Sequence, residues 1–130
     1  MGDRCWINIT FKEEDQQKFK DILGDIWNEE YAEDGTINAY SSEANYGLYD
    51  ERLDLAGADL TFIGYHGAGG DYGEIAFACY KGEWIEINAD YDGKPVVHIH
   101  EGGMIFDADI GDAKKYWNIH KQAKEYIHGM

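Results

Sequence analysis

The alternation of apolar and polar positions changes period several times along the chain, and each change marks an element. In RCWINITF, Cys5, Ile7, Ile9 and Phe11 alternate with Trp6, Asn8 and Thr10. That period of two predicts a strand with one buried face. KEEDQQKFKDILGDIWNEE then places Phe19, Ile22, Leu23, Ile26 and Trp27 at helical spacing. Glu13, Glu14 and Asp15 fall in the first turn of this helix, where the helix dipole favours negative charge. Asp25, Glu29 and Glu30 fall toward its other end, where the dipole disfavours them.

Residues 36–46 (TINAYSSEANY) read as a second strand, and LYDERLDLAGA as a short helical turn carrying Leu48, Leu53 and Leu55. Four stronger strand signals follow: DLTFIGYH, YGEIAFACY, WIEINAD and PVVHIH. They are joined by the turn-like links GAGGD, KGE and YDGK. In the last link, Asp92-Gly93 between alternating runs is a hairpin signal. DADIGDAKKYWNIHKQAKEYIHGM closes the chain as a helix, with Tyr116, Trp117, His120 and Ile127 facing inward and Asp109 or Asp112 as its N-cap. The order predicts an α+β fold: a mainly antiparallel sheet of about five to six strands, with an N-terminal-half helix and a C-terminal helix packed on one face. At 130 residues, with no linker and no repeat, the chain 1–130 reads as a single α+β domain.

Charge changes the picture. The formal net charge is −15, from 26 acidic and 11 basic residues. Residues 21–80 hold 13 carboxylates and one basic residue, Arg52, whereas Lys114, Lys115, Lys121 and Lys124 cluster in the final helix. This balance argues against direct binding to nucleic acid or to an anionic membrane, both of which need positive surface. Basic protein surfaces and cations are the natural partners. From Asp21 to Glu51 there are nine carboxylates and no lysine or arginine. Asp21, Asp25 and Glu29 fall four residues apart, a spacing that on a helix costs a few tenths of a kcal/mol per like-charged pair.

Motifs for chemistry are sparse. Gly67, Gly69, Gly70 and Gly73 in GYHGAGGDYGE suggest a phosphate cradle. Such a loop needs a helix after it and a lysine beside the phosphate. Here a strand follows, and Asp71 and Glu74 would repel the ligand, so a hairpin or contact loop explains the run better. His98 and His100 in PVVHIHE share one face of the predicted strand and are the candidate metal ligands. No third ligand is fixed by the sequence. NADYDGK and DADIGD echo calcium loops, but Ile99 and Asn118 stand where each needs its bidentate glutamate. Cys5 and Cys79 match no zinc or redox spacing and read as two buried thiols in a reducing compartment. With no secretory leader or apolar span, a cytoplasmic location is expected, and no cofactor is.

The acidic stretch is accompanied by Trp27, Tyr31, Tyr40, Tyr46, Tyr49, Tyr65 and Tyr72, residue types favoured as interface anchors. Size, charge and lack of catalytic motifs are similar, at the level of class, to the nucleic-acid mimics that phages and mobile elements deploy against bacterial defence nucleases. They are equally similar to the immunity proteins that neutralise nuclease toxins. The resulting expectation is a non-enzymatic inhibitor of the anti-CRISPR or anti-restriction type. It would bind a basic protein surface through Asp21, Asp25, Glu29, Glu30, Glu33, Asp34, Glu43, Asp50 and Glu51. The alternatives are an immunity protein and a small metal-dependent enzyme centred on His98 and His100.

Overall fold

The computed structural model describes residues 4–24, 27–69 and 72–129. In chain order the elements are β1 (Arg4–Lys12), a 3-10 turn (Glu13–Asp15), α1 (Gln16–Leu23), β2 (Glu29–Glu33) and β3 (Thr36–Asn45). A short turn (Tyr46–Leu48) leads into α2 (Tyr49–Gly57), β4 (Phe62–His66), β5 (Ile75–Tyr80), β6 (Glu83–Asn88) and α3 (Asp107–His128). The strands form one six-stranded sheet in the order β2-β3-β1-β4-β5-β6, and every neighbouring pair is antiparallel. The α+β architecture follows from the hydrophobic pattern as expected.

The alternation in β1 does the central work. Ile7, Ile9 and Phe11 face a core shared with Phe19 and Leu23 of α1, Leu55 of α2, and Phe62 and Phe77 of the sheet. Phe11 stacks on Phe19 with ring centroids 4.0 Å apart. A second core joins Ala76, Ala78 and Ile85 to Tyr116 and Ile119 of α3. Successive residues of a strand point to opposite faces. In β5, Phe77 and Cys79 belong to the first core and Ala76 and Ala78 to the second. The helices therefore cover both faces, α1 and α2 on one and α3 on the other, rather than the single face expected. The small side chains at 76 and 78 leave room for α3.

Further expectations are corrected. The first helix stops at Leu23 instead of running to Glu30. Gly24 adopts φ +69° and its N–H caps the Lys20 carbonyl at 2.8 Å, in a conformation open mainly to glycine. Glu29 and Glu30 then lie in β2, a strand the hydrophobic pattern did not show. It is joined to β3 by Asp34 and Gly35, both at positive φ (51° and 80°), as a two-residue hairpin of the primed type requires.

PVVHIH is not a strand. The segment after β6 is tied by isolated bridges at Ala89–Pro95 and His100–Met104. Pro95 has no N–H to give a ladder. The Asp90 carboxylate accepts hydrogen bonds from the backbone N–H groups of Asp92 and Lys94, each at 2.9 Å. The acid that suggested a calcium loop thus closes its own turn.

In α3 the buried stripe is Tyr116, Ile119, Ala123 and Ile127, while Trp117 is 49% exposed and His120 is half-buried. Trp117 thus points outward, and Tyr116 and Ile127 inward as expected. The helix begins at Asp107 with Phe106 at its N-cap, so Asp109 and Asp112 lie inside it. Cys5 and Cys79 are both free and buried. Among the described residues, no helix is long and apolar enough to cross a membrane.

Candidate functional site

The carboxylates singled out in the sequence fall into two groups. All five residues of β2 are exposed along the sheet edge. Its register pairs Glu29 with Tyr40, Tyr31 with Asn38 and Glu33 with Thr36, so these share one face, while Glu30 and Ala32 pair with the buried Ala39 and Ile37 on the other. Glu30 accepts a hydrogen bond from Gln16 Nε2 of α1 at 2.9 Å, and Glu29 accepts one from the Tyr31 hydroxyl at 2.9 Å. Burial is negligible at Tyr31, and its pKa is raised by that hydrogen bond and by the Glu29 charge. Asp34 continues the acidic edge into the hairpin turn. Asp21, on α1, is exposed and accepts from Gln17 Nε2 at 2.9 Å. Asp25 lies outside the described residues.

Asp21 lies on α1 and Glu29 on β2, so those two do not share a helix, and the four-apart pairs expected through Asp25 lie outside the described residues. Glu43, in β3, lies 3.5 Å from Arg4 with both side chains exposed, an ion pair of little energetic weight.

Asp50 and Glu51 belong elsewhere. They stand in the first turn of α2, at a cavity of about 490 Å³ that the sequence did not reveal. The cavity begins with an unusual turn. After β3 the chain passes through three consecutive left-handed residues, Tyr46 (φ 51°), Gly47 (φ 59°) and Leu48 (φ 57°), before α2 starts. Left-handed backbone costs about 1–2 kcal/mol per non-glycine residue. Three contacts hold it in place: Leu48 is buried in the main core, a Cβ at Gly47 would overlap the His66 ring, and the Gly47 carbonyl accepts from Arg52 Nε at 2.8 Å.

Arg52 is the most deeply buried charge described. Its side chain is 1% exposed, and Nη1 donates to Glu86 Oε1 at 3.0 Å. The guanidinium lies over the rings of Phe77 (4.6 Å) and Trp84 (5.2 Å), with Tyr49 at 5.7 Å. Burial lowers its pKa, and Glu86 opposes that shift. His66 is buried beside it, with Nδ1 2.8 Å from the Gly67 carbonyl. That contact requires a proton on Nδ1 and leaves Nε2 as the acceptor nitrogen. Burial pushes the imidazole pKa down, the Gly67 hydrogen bond opposes this, and Arg52 pushes it further down. The Cys5 thiol lies 3.8 Å from Nδ1 and 3.7 Å from the Ala44 carbonyl. Tyr72 meets His66 edge-on at 5.5 Å and Tyr46 at 6.1 Å.

The sequence did carry one trace of this site. Arg52 is the lone basic residue between positions 21 and 80, and a lone cation in so acidic a stretch has a structural partner to satisfy.

The His98 and His100 rings are 6.5 Å apart between centroids, and His100 stacks on Phe106 at 4.1 Å. His98 lines a shallow polar pocket with Asp109 and Asp112. Among the described residues, no group of three or more His, Cys, Asp or Glu side chains is placed to hold a metal ion.

No protein family, no curated protein and no solved structure matches the chain.

Proposed function

We propose that this protein is a non-enzymatic inhibitor that sets its acidic edge against the basic nucleic-acid-binding surface of a bacterial defence nuclease complex. The observation that carries the reading is β2: an edge strand, exposed at all five positions, with acids at the first, second and fifth and an aspartate in the turn that follows. An extended strand advances about 3.4 Å per residue, and phosphates of one DNA strand advance about 3.4 Å per residue along the duplex axis. Glu29 and Glu33, on one face of the strand, are therefore about 14 Å apart, the axial advance of about four phosphates, so the strip is sparser than a phosphate backbone. Tyr31, 60% exposed between Glu29 and Glu33, supplies an aromatic anchor within the same strip.

An acidic edge strand also blocks edge-to-edge aggregation. The two roles separate in one experiment: phage plating on cells that carry a CRISPR or restriction system, with and without this protein. The protein is expected to restore plating. The triple variant Glu29→Lys, Glu30→Lys, Glu33→Lys should abolish that protection while keeping the parent's fold and oligomeric state. Full protection by the folded triple variant would sink the proposal. Rescue of cells from a nuclease toxin, with no effect on defence systems, would move the assignment to an immunity protein.

A further inference from the structure

The cavity at the start of α2 is chemically distinct from the β2 edge. Its walls are aromatic: Tyr46 and Tyr49 stand half-exposed at the mouth, and Tyr72 lies against His66 inside. Its charges are unbalanced, because the carboxylates of Asp50, Glu51 and Glu86 face a single guanidinium, that of Arg52. The volume of about 490 Å³ is in the range of small-ligand sites.

We propose that this cavity is a binding site for an organic cation, an alkylammonium or guanidinium head with an apolar stem. Aromatic faces attract such heads through the ring quadrupole, most strongly where water is excluded. Phe77 and Trp84 are taken by Arg52 and do not line the cavity, so the rings that would meet a ligand are those of Tyr46, Tyr49 and Tyr72, and the Asp50 and Glu51 carboxylates outweigh the Arg52 charge already paired with Glu86.

An anion is the competing occupant, because the α2 N-terminus and Arg52 both carry positive charge. Two facts count against it. Asp50 and Glu51 occupy the first turn of that helix, and the guanidinium is committed to Glu86 and to the Gly47 carbonyl. His66 also lines the cavity, its Nδ1 proton held by the Gly67 carbonyl. The strained Tyr46-Gly47-Leu48 turn places Tyr46 at the mouth, and backbone strain of this kind gathers at ligand clamps.

The head group has two natural sources, a free small amine or a lysine or arginine side chain of a protein. The test is an NMR titration of the whole protein with choline, its uncharged dimethylbutanol isostere, inorganic phosphate, and a short lysine-containing peptide. Choline should shift resonances of Tyr49 and Tyr72 saturably, and the neutral isostere should bind at least tenfold more weakly. Tyr49→Leu and Asp50→Asn should each weaken choline binding by about tenfold, a loss of the size expected for one cation–π or charge contact. Both variants should keep the parent unfolding midpoint. Peptide binding tighter than choline assigns the site to a protein side chain, and the reverse assigns it to a free amine. Equal binding of choline and its isostere, or binding of phosphate alone, overturns the proposal. The β2 reading is unaffected by that failure, because its charge-reversal variant alters no residue of the cavity.

Discussion

Arg52 Nη1 and Glu86 Oε1 meet at 3.0 Å and tie the first turns of α2 to β6 across the sheet face. The arginine is fully enclosed, whereas a third of the glutamate side chain reaches solvent. Removing one partner of such a pair strands a buried charge, while replacing both with apolar groups does not. Glu86→Leu should therefore destabilise the fold by about 3 kcal/mol in urea unfolding. The double variant Arg52→Met, Glu86→Leu should recover most of that loss. A double variant no better than the single would show that Arg52 contributes through its hydrogen bond to Gly47 instead.

Gly47 and Gly35 both hold left-handed backbone, but only Gly47 lies against another side chain. A Cβ at Gly35 meets open space, and one at Gly47 meets the His66 ring. Gly35→Ala should cost about 1 kcal/mol of backbone strain. Gly47→Ala should cost about 3 kcal/mol, because overpacking adds to the strain. Paired denaturant curves check the ranking.

Acid should weaken the fold through His66 and His120. Burial lowers the pKa of His66 and of His120 below the ordinary 6.5. The unfolded chain then binds protons that the folded chain refuses, so stability is full above pH 6.5 and falls as pH drops through the folded values. The unfolding midpoint should decline on acidification in this window. In His66→Asn the slope should be shallower, whatever its stability at neutral pH.

Alkali acts with the opposite sign. Burial pushes the Tyr116 phenol from 10.0 up to about 12 and the Cys79 thiol from 9.0 up to about 11. Their protonated forms contribute stability that is complete below the unfolded pKa and is lost as pH rises through the folded one. Tyrosinate absorbance should show Tyr116 ionising together with unfolding. Tyr116→Phe should make the alkaline decline above pH 10 shallower, leaving the shares of Cys79 and of Tyr126, whose phenol is also pushed up to about 12.

Legibility tracked how local each cause is. The β1, β4, β5 and β6 strands were readable because each carries its own alternation or a short apolar run between turn signals. β2 was not, since EEYAE has no apolar face to bury and pairs through its backbone alone. Its one local signal was Asp34-Gly35, the same dipeptide type that was recognised at Asp92-Gly93. There the turn formed, but Pro95 kept the following segment from extending into a strand. The helix over 12–30 was overextended because Ile22, Leu23 and Trp27 continue the period, whereas Gly24 ends it. The sequence reading puts Trp117 on the inward face with Tyr116. The stripe through Tyr116, Ile119, Ala123 and Ile127 takes the inner face of α3 and leaves no room on it for position 117.

What the sequence determined by itself was the class of fold, the identity of most strands, the buried thiols and the polarity of the charge. All of these depend on side chains within a few positions of one another. Tertiary structure alone decided the distribution of helices over both faces. It also decided the division of the acids between the β2 edge and the α2 cavity, and the meeting of Arg52, His66 and Glu86. Those three residues come from α2, β4 and β6, and only the sheet order brings them together. Spacing along the chain carries no record of which strands become neighbours, because strand pairing is fixed by which apolar faces can be buried at once.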